Sequence, residues 1–265
     1  MQITKYLIFY SLIFLLTFSL SHGISQEEVK KRLKDMKLEY NEQTFWDQIH
    51  KGTTETVSLF LDAGINPNLK SKEGQIPIIF ASQFGYPNIV ELLIKRGAKV
   101  DTGDINGNTA LMYAAKLGYT TTIRVLLDNG ADINAKDSVN FTALIQACMD
   151  GKTESVALLL ERKADVTIKD NAGYTALNWA VEADRATLIP LLIKNGADIN
   201  ATTEVGDTPL LQAIDRKRIK IVQLLLKKGA DVNLATEGGY TPLKFAQLRE
   251  SPEIVELLKK YGAKE

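Results

Sequence analysis

The sequence predicts an all-α solenoid of about seven helix-turn-helix units of 33 residues, joined by β-hairpin-like loops. Two observations lead to this prediction. The hexapeptide NGADIN occurs at residues 129–134 and again at 195–200, and related segments recur every 33 residues. A second series, half a period away, keeps the same step and includes GNTALMYAA, GYTALNWAV and GYTPLKFAQ. Two independent series in one register indicate a repeat architecture.

Each repeat carries the signals of two helices. In the last unit, the hydroxyl of Thr241 can cap an inner helix, and Pro242 suits its first turn, where no N–H partner is needed. An outer helix with an apolar pattern follows, and the glycine of NGADIN stops it, because a left-handed conformation costs glycine little. We expect A-D-I-N to continue as an extended arm. One unit cannot bury its apolar face alone, so stacking creates an extended concave surface.

The two series resemble the ankyrin repeat, a 33-residue unit that opens with T-P-L-H-x-A. The resemblance covers about residues 38 to 265. The seven units start near residues 38, 71, 104, 137, 170, 203 and 236. The family's histidine is missing from every unit, and its place holds Trp46, Ile79, Met112, Ile145, Asn178, Leu211 and Lys244. The missing histidines remove a hydrogen-bonding network that the family usually has between repeats, but they do not threaten the fold.

The first 23 residues have the pattern of a secretory signal peptide. Lys5, their one charged residue, precedes the apolar run Tyr6–Leu20, and the small residues Ser21 and Gly23 follow it. An uncleaved signal anchor is the alternative, because the run approaches the length that spans a bilayer. We therefore expect an exported chain, periplasmic or secreted, that is membrane-anchored only if the segment stays uncleaved. Family members with signal peptides are mostly bacterial, so the resemblance implies a bacterial source.

Residues 24–40 are expected to form a capping helix, ahead of a repeat domain at 41–265. The segment has a Ser25-x-x-Glu28 capping box and an apolar stripe of Val29, Leu33 and Met36. This helix would cover the otherwise exposed apolar face of the first unit.

Three positions depart from the repeat. Lys163 replaces the stop glycine, where a left-handed conformation costs a non-glycine residue about 1 kcal/mol. Pro190 would kink its outer helix if it lay beyond the first turn, and would be tolerated near the helix start. The single cysteine, Cys148, aligns with packed residues and is predicted to be buried and structural.

Few residues could support catalysis. His50 is the one histidine after residue 23, and no CxxC, HExxH, Walker or GxGxxG motif is present. We predict no enzyme, no cofactor and no metal, and place His50 on the surface in a helix–helix turn. The formal charge is zero, which argues against nucleic-acid binding. The cluster RKRIK at 216–220 is expected to be a solvated turn, or else a docking patch for an acidic partner.

Protein binding is the remaining function. In ankyrin-like units the partner usually lies against the hairpins and the exposed end of the inner helix. In this register those places hold Phe84, Ile105, Leu117, Val139, Phe141, Met149, Tyr174 and Tyr240. Aromatic and apolar side chains suggest a contact patch, although several could instead fold back and extend the core.

We therefore predict a monomeric, non-catalytic module that binds a protein partner of unknown identity. The alternatives are a signal-anchored membrane scaffold and a secreted effector or toxin-neutralising binder.

Overall fold

The computed structural model describes residues 25–236 and 238–264, and in these residues fifteen helices follow one another without strands. The helices are α1 (Gln26–Asp35), α2 (Glu42–His50), α3 (Thr54–Asp62), α4 (Pro77–Gln83), α5 (Pro87–Lys95), α6 (Ala110–Leu117), α7 (Thr120–Asp128), α8 (Ala143–Met149), α9 (Thr153–Glu161), α10 (Ala176–Glu182), α11 (Ile189–Lys194), α12 (Pro209–Asp215), α13 (Ile219–Lys227), α14 (Pro242–Leu248) and α15 (Pro252–Lys260). The predicted all-α solenoid is confirmed. The predicted signal peptide, residues 1–23, lies outside the described residues.

Helices α2 to α15 form seven antiparallel pairs, in which the even-numbered helices are the inner ones. Consecutive inner helices pack on each other, as α6 does on α4 and α8. Ala114 and Ala115 are fully buried on α6, and such small residues allow neighbouring helices to approach closely. The side chain of Thr241 accepts the backbone N–H of Lys244, so this residue caps α14 as the sequence predicted. None of the helices described is both long and apolar enough to span a bilayer.

The outer helices end as the NGADIN series predicts. Gly130 has φ +85°, its N–H donates to the carbonyl of Leu127, and the next N–H donates to Leu126. Lys163 repeats both bonds one unit later with φ +67°. The left-handed conformation predicted for Lys163 is therefore confirmed, and the turn is built there as in the glycine-containing units.

The prediction that A-D-I-N continues as an extended arm is wrong. The segment bends, because the N–H of Ala135 donates to the carbonyl of Asp132. The bend turns the side chain of Asn134 toward the next unit, where its Oδ1 accepts the backbone N–H of Asp165 at 2.9 Å. The asparagine that ends the second NGADIN copy makes the same bond, from Asp231 N–H to Asn200 Oδ1 at 2.9 Å. The repeated hexapeptide thus joins successive units.

This ladder of hydrogen bonds lacks one rung. At the equivalent position between the fourth and fifth units stands Thr167, whose hydroxyl donates instead to Asp165 within its own unit, at 2.6 Å. The outer helix of the fifth unit is also short. Pro190 is its second residue, and α11 has six residues where the neighbouring outer helices have nine. The interpretation of Pro190 as a residue near the helix start is confirmed, and the helix is shortened without a kink.

Helix α1 packs on α3 at the amino end of the stack. Val29 and Leu33 are buried, whereas Met36, the last member of the predicted stripe, lies beyond the helix and is exposed. The hydroxyl of Ser25 accepts the N–H of Glu28 at 3.3 Å. Tyr40 then stacks on Phe60 with ring centroids 6.0 Å apart, which brings the chain into the first unit.

Candidate protein-binding face

Each hairpin-like loop is a tight turn organised by its first residue. The N–H of Asp104 donates to the carbonyl of Asn108, and the N–H of Gly107 donates back to Asp104. The carboxylate of Asp104 accepts two further backbone N–H groups, from Asn106 at 2.9 Å and Asn108 at 3.0 Å. Asp137 and Asp170 repeat this arrangement in the next two units. The loops are thus rigid turns that hold their tips in fixed positions.

Two aromatic residues that the sequence analysis did not select connect the inner helices to these turns. The hydroxyl of Tyr113 on α6 donates to Asp104 Oδ2 at 2.7 Å. The indole N–H of Trp179 on α10 donates to Asp170 Oδ2 at 2.8 Å. Partial burial and the neighbouring carboxylate raise the pKa of Tyr113 to about 12. Comparing the units column by column would have found both, since the same position also holds Phe80 and Phe245.

The structure exposes five of the eight predicted contact residues. Ile105 projects from a hairpin tip with 88% of its surface exposed, and Val139 occupies a neighbouring tip with 44% exposed. Phe84 and Leu117 lie at the ends of α4 and α6 and are also exposed. Tyr240, in the last unit, is exposed under the ammonium of Lys244, which lies 5.0 Å from the ring centroid.

The other three predicted residues are half-buried. Phe141 packs edge-on against Trp179, with ring centroids 5.4 Å apart, and Tyr174 lies 5.2 Å from the same indole. Phe141 and Met149 also pack against the core. These side chains therefore support the concave surface more than they project from it.

A cluster of rings lies at the amino end of the concave face. Phe84 contacts Phe80 and His50, with ring centroids 4.9 and 5.0 Å apart. The hydroxyl of Tyr86 donates to the carbonyl of His50 at 3.1 Å, which ties the second unit to the first. His50 is exposed as predicted, but it is the last residue of α2 and precedes the turn in which it was placed.

Two open clefts lie between successive hairpins in this part of the face. The first, of about 220 Å³, lies between the second and third units and is lined by Phe80, Ile105 and Tyr113. The second, of about 360 Å³, lies between the third and fourth units and is lined by Tyr113, Lys116, Val139, Phe141 and Met149. We call the concave surface of the second to fourth units, residues 71–169, the apolar half.

The concave surface of the fifth to seventh units, residues 170–265, is the ion-paired half. Arg216 pairs with Glu182 of the preceding unit at 2.5 Å, and Arg249 pairs with Asp215 in the same way one unit later. Arg218 pairs with Asp184 at 3.8 Å and also donates to the carbonyl of Val181. Arg216, Lys217 and Arg218 of the basic cluster lie in the helix–helix turn as predicted, whereas Ile219 and Lys220 begin α13, and both arginines are bound within the stack.

Reactive groups are scarce on this face. The described residues contain no group of three or more histidine, cysteine or acidic residues arranged to hold a metal ion. Cys148 is fully buried in α8, as predicted, and burial raises the pKa of its thiol far above the ordinary range, which keeps it protonated.

Comparisons with known proteins agree on the architecture. The family model "Ankyrin repeats (3 copies)" matches residues 47–137, 138–203 and 188–265. The crystal structure of the ankyrin repeat domain of Bcl-3, a member of the IkappaB protein family, aligns with a TM-score of 0.74 and 30% identity. That alignment covers 81% of this chain and 97% of the Bcl-3 chain.

A yeast protein shows a shorter similarity. Ankyrin repeat-containing protein P1E11.10 of Schizosaccharomyces pombe is 32% identical over 59 residues, which are 22% of this chain and 28% of the yeast protein. The chain thus matches less than a third of that relative's length.

Proposed function

This chain belongs to the ankyrin-repeat family, and we propose that it is a non-catalytic module that binds a protein partner through its concave face. Ankyrin repeats generally mediate protein–protein interaction. The finer assignment, that the hairpin tips and the exposed ends of the inner helices make the contact, is ours.

One observation carries the proposal. Phe84, Ile105, Leu117 and Val139 form an exposed apolar row that crosses three successive units on one side of the stack. A solvated surface gains nothing from such a row, whereas an interface gains from burying it. The hydrogen-bonded turns hold the row in position without a partner, so little conformational entropy is lost on binding.

Capture of the native partner by the full chain tests the proposal. Ile105→Arg and Val139→Arg place a charge on tips that the fold leaves exposed, so we expect both variants to fold and to lose the partner. Val205→Arg is the matched control, because Val205 is 67% exposed and occupies the position of Val139 two units later, in the ion-paired half. Equal capture by all three variants would exclude the apolar half as the contact surface.

Serine substitutions at Phe84 and Leu117 provide a second test with a smaller perturbation. Both side chains are exposed at helix ends, so we expect partner binding to fall while the far-ultraviolet circular dichroism stays unchanged. Phe141→Ser is a poorer probe, because Phe141 packs on Trp179 and its loss would disturb the fold itself.

We further propose that the chain is exported, on the strength of the apolar run Tyr6–Leu20 after Lys5. Sequencing the amino terminus of the protein from its native host tests this. Ile24 as the first residue would establish cleavage and a periplasmic or secreted protein. An intact amino terminus in a membrane fraction would establish the alternative, a signal-anchored scaffold. Both outcomes are compatible with the same binding face.

A further inference from the structure

The two clefts of the apolar half are equivalent sites one repeat apart, lined by side chains at matching positions of the 33-residue unit. Each is lined by the first residue of a hairpin turn, Asp104 in the first cleft and Asp137 in the second. Each is also lined by the same ring position of the inner helix, Phe80 in the first and Tyr113 in the second. Because the backbone plan is shared, a difference between the two linings reports on what each cleft can bind.

The linings differ most in charge. The first cleft carries two carboxylates, Glu73 and Asp104, and no basic side chain. In the second cleft, Asn106 stands at the position of Glu73, and Lys116 stands at the position of Gln83. The second cleft therefore has one carboxylate beside one ammonium, whereas the first is negative.

The negative charge of the first cleft is not cancelled by the chain. The hydroxyl of Ser71 donates to Glu73 at 2.8 Å and lowers the pKa of its carboxyl, so Glu73 is ionised at neutral pH. Asp104 accepts only neutral donors, two backbone N–H groups and the hydroxyl of Tyr113. Neither carboxylate forms an ion pair with a lysine or arginine of the described residues. A cation on the ligand would complement this cleft.

Aromatic rings narrow the choice of cation. Phe80 and Tyr113, from successive inner helices, both line the first cleft, whereas the second has Gln146 at the position of Tyr113. A cation within about 6 Å of a ring centroid is attracted to the ring face. The planar guanidinium of arginine stacks on rings and pairs with carboxylates through its fork of N–H groups, while the ammonium of lysine is compact and strongly hydrated. Rings beside carboxylates therefore favour arginine.

Other classes of ligand fit the first cleft less well. The two carboxylates repel phosphate groups, which disfavours nucleotides and nucleic acids. No group of three or more metal-ligating residues occurs in the part of the chain that the structure describes, so a metal ion would lack donors. The cleft volume of about 220 Å³ lies below the roughly 300–1,000 Å³ of small-molecule pockets. One side chain of a protein partner suits this space.

We propose that the first cleft binds an arginine side chain of the partner protein, with the guanidinium against the rings of Phe80 and Tyr113. Its N–H groups point toward Glu73 and Asp104. Ile105, 88% exposed, lines the same cleft and provides an apolar surface for the methylene stem of the arginine. This inference rests on the proposed function and specifies one anchor of the partner.

Selection from a phage library of random 12-residue peptides tests the proposal, on the immobilised full chain and in parallel on Glu73→Asn and Gln83→Lys. Each variant copies the residue that the second cleft has at that position, so the repeat accommodates both. We expect arginine to be enriched over the unselected library on the wild-type chain and the enrichment to disappear on both variants. Enrichment of arginine on all three proteins, or on none, would overturn the proposal.

A selected peptide, synthesised with a fluorophore, then tests the guanidinium by anisotropy titration. Citrulline in place of the arginine keeps the shape and removes the charge, and should weaken binding roughly tenfold. Glu73→Asn should weaken the arginine peptide roughly fivefold and the citrulline peptide less than about twofold. Glu204→Asn, at an exposed hairpin tip of the ion-paired half, is the matched control. An equal loss in the control, or a lysine peptide that binds as tightly as the arginine peptide, would overturn the assignment.

The two proposals fail separately. If native partner capture depends on Ile105 and Val139 but neither Glu73→Asn nor Gln83→Lys changes it, the binding face stands and the arginine subsite is wrong. If partner capture ignores these tips, the proposed function is itself wrong.

Discussion

The apolar half and the ion-paired half share one backbone plan but treat the concave surface in opposite ways. In the apolar half, Phe84 and Leu117 occupy the end of the inner helix and remain exposed. Four units later the same positions hold Arg216 and Arg249, which pair with Glu182 and Asp215 of the preceding units. At this position the ion-paired half therefore pairs its side chains with one another, whereas the apolar half leaves them exposed.

The same division appears in the backbone. The turn between inner and outer helix uses glycine in the first four units, as at Gly85 with φ +68°. The last three units adopt the same conformation with Asp184, Lys217 and Glu250. Left-handed non-glycine residues cost energy, so this turn is strained in the last three units and unstrained in the first four. The border between the halves therefore lies between the fourth and fifth units.

Removal of Trp179 should have the largest effect, because its ring joins Phe141 and Tyr174 across that border. Trp179→Ala should lower the free energy of unfolding by about 3 kcal/mol, measured by urea denaturation followed by circular dichroism. Phe245→Ala, at the same position of the last unit, should cost less, because Phe245 has Arg249 rather than two rings beside it. Equal losses in the two variants would show that the ring contacts at the border contribute no more to stability than the contacts of the last unit.

Tyr113→Phe tests the turn of the apolar half and should cost about 1 kcal/mol at neutral pH. Its pKa is raised to about 12 in the folded chain, so the unfolded chain, with a tyrosine pKa of about 10, loses this proton first. The contribution of the hydroxyl is fully present below pH 10 and disappears as the pH rises toward 12. Urea denaturation of the wild-type chain and Tyr113→Phe should show that their difference in the free energy of unfolding is smaller at pH 11.5 than at pH 8. An equal difference at both pH values would contradict the role of the hydroxyl.

Lys163→Gly should stabilise the chain by about 1 kcal/mol, because it relieves a left-handed lysine without changing the turn. The reciprocal variant, Gly130→Lys, should lose a similar amount. A Cβ at Gly130 would meet no heavy atom within 4 Å, so the main cost of this substitution is that of the left-handed backbone. Thermal unfolding should show a higher midpoint temperature for Lys163→Gly and a lower one for Gly130→Lys. If both midpoints shift in the same direction, backbone strain at this position does not explain the effects.

Glu182→Gln should have the smallest effect, about 0.5 kcal/mol, since exposed ion pairs contribute little. The loss should shrink further in 1 M salt, where such pairs are screened. Asp150→Asn in the apolar half is the control, because Asp150 is exposed and outside the ion pairs of the described residues. Salt-independent losses in both variants would argue against ion pairing as the organising feature of the second half.

Much of the fold follows from the period of 33 residues. Once the register is set, it places the Thr caps, the left-handed turn at Lys163 and the burial of Cys148, all of which the structure bears out. Pro190 could not be settled in advance, because a single sequence does not show where a helix begins. The bend in A-D-I-N was missed because the sequence of one unit does not show that Asn134 accepts the N–H of Asp165 in the next unit, a bond that requires the bent segment.

The candidate face was harder to foresee than the fold. Ile105 and Phe141 are both apolar residues of a hairpin, yet one projects into solvent and the other lies on Trp179. The register gives their positions along the unit but not the partners across it. Tyr113 was not predicted as part of the face for the same reason. Within its own helix it has the pattern of a core aromatic residue, and its role depends on the hydrogen bond that its hydroxyl donates to the carboxylate of Asp104.

The missing rung at Thr167 has a consequence for how the chain comes apart. Units that contact only their neighbours pass cooperativity along one interface at a time, and this interface, although it keeps the contact of Trp179 with Phe141, has one hydrogen bond of the inter-unit ladder fewer than the others. We expect amide hydrogen exchange to separate residues before and after this junction into two groups with different opening free energies. The block containing the apolar row could then persist while the carboxyl-terminal block opens, which would keep the binding surface formed in a partly unfolded chain.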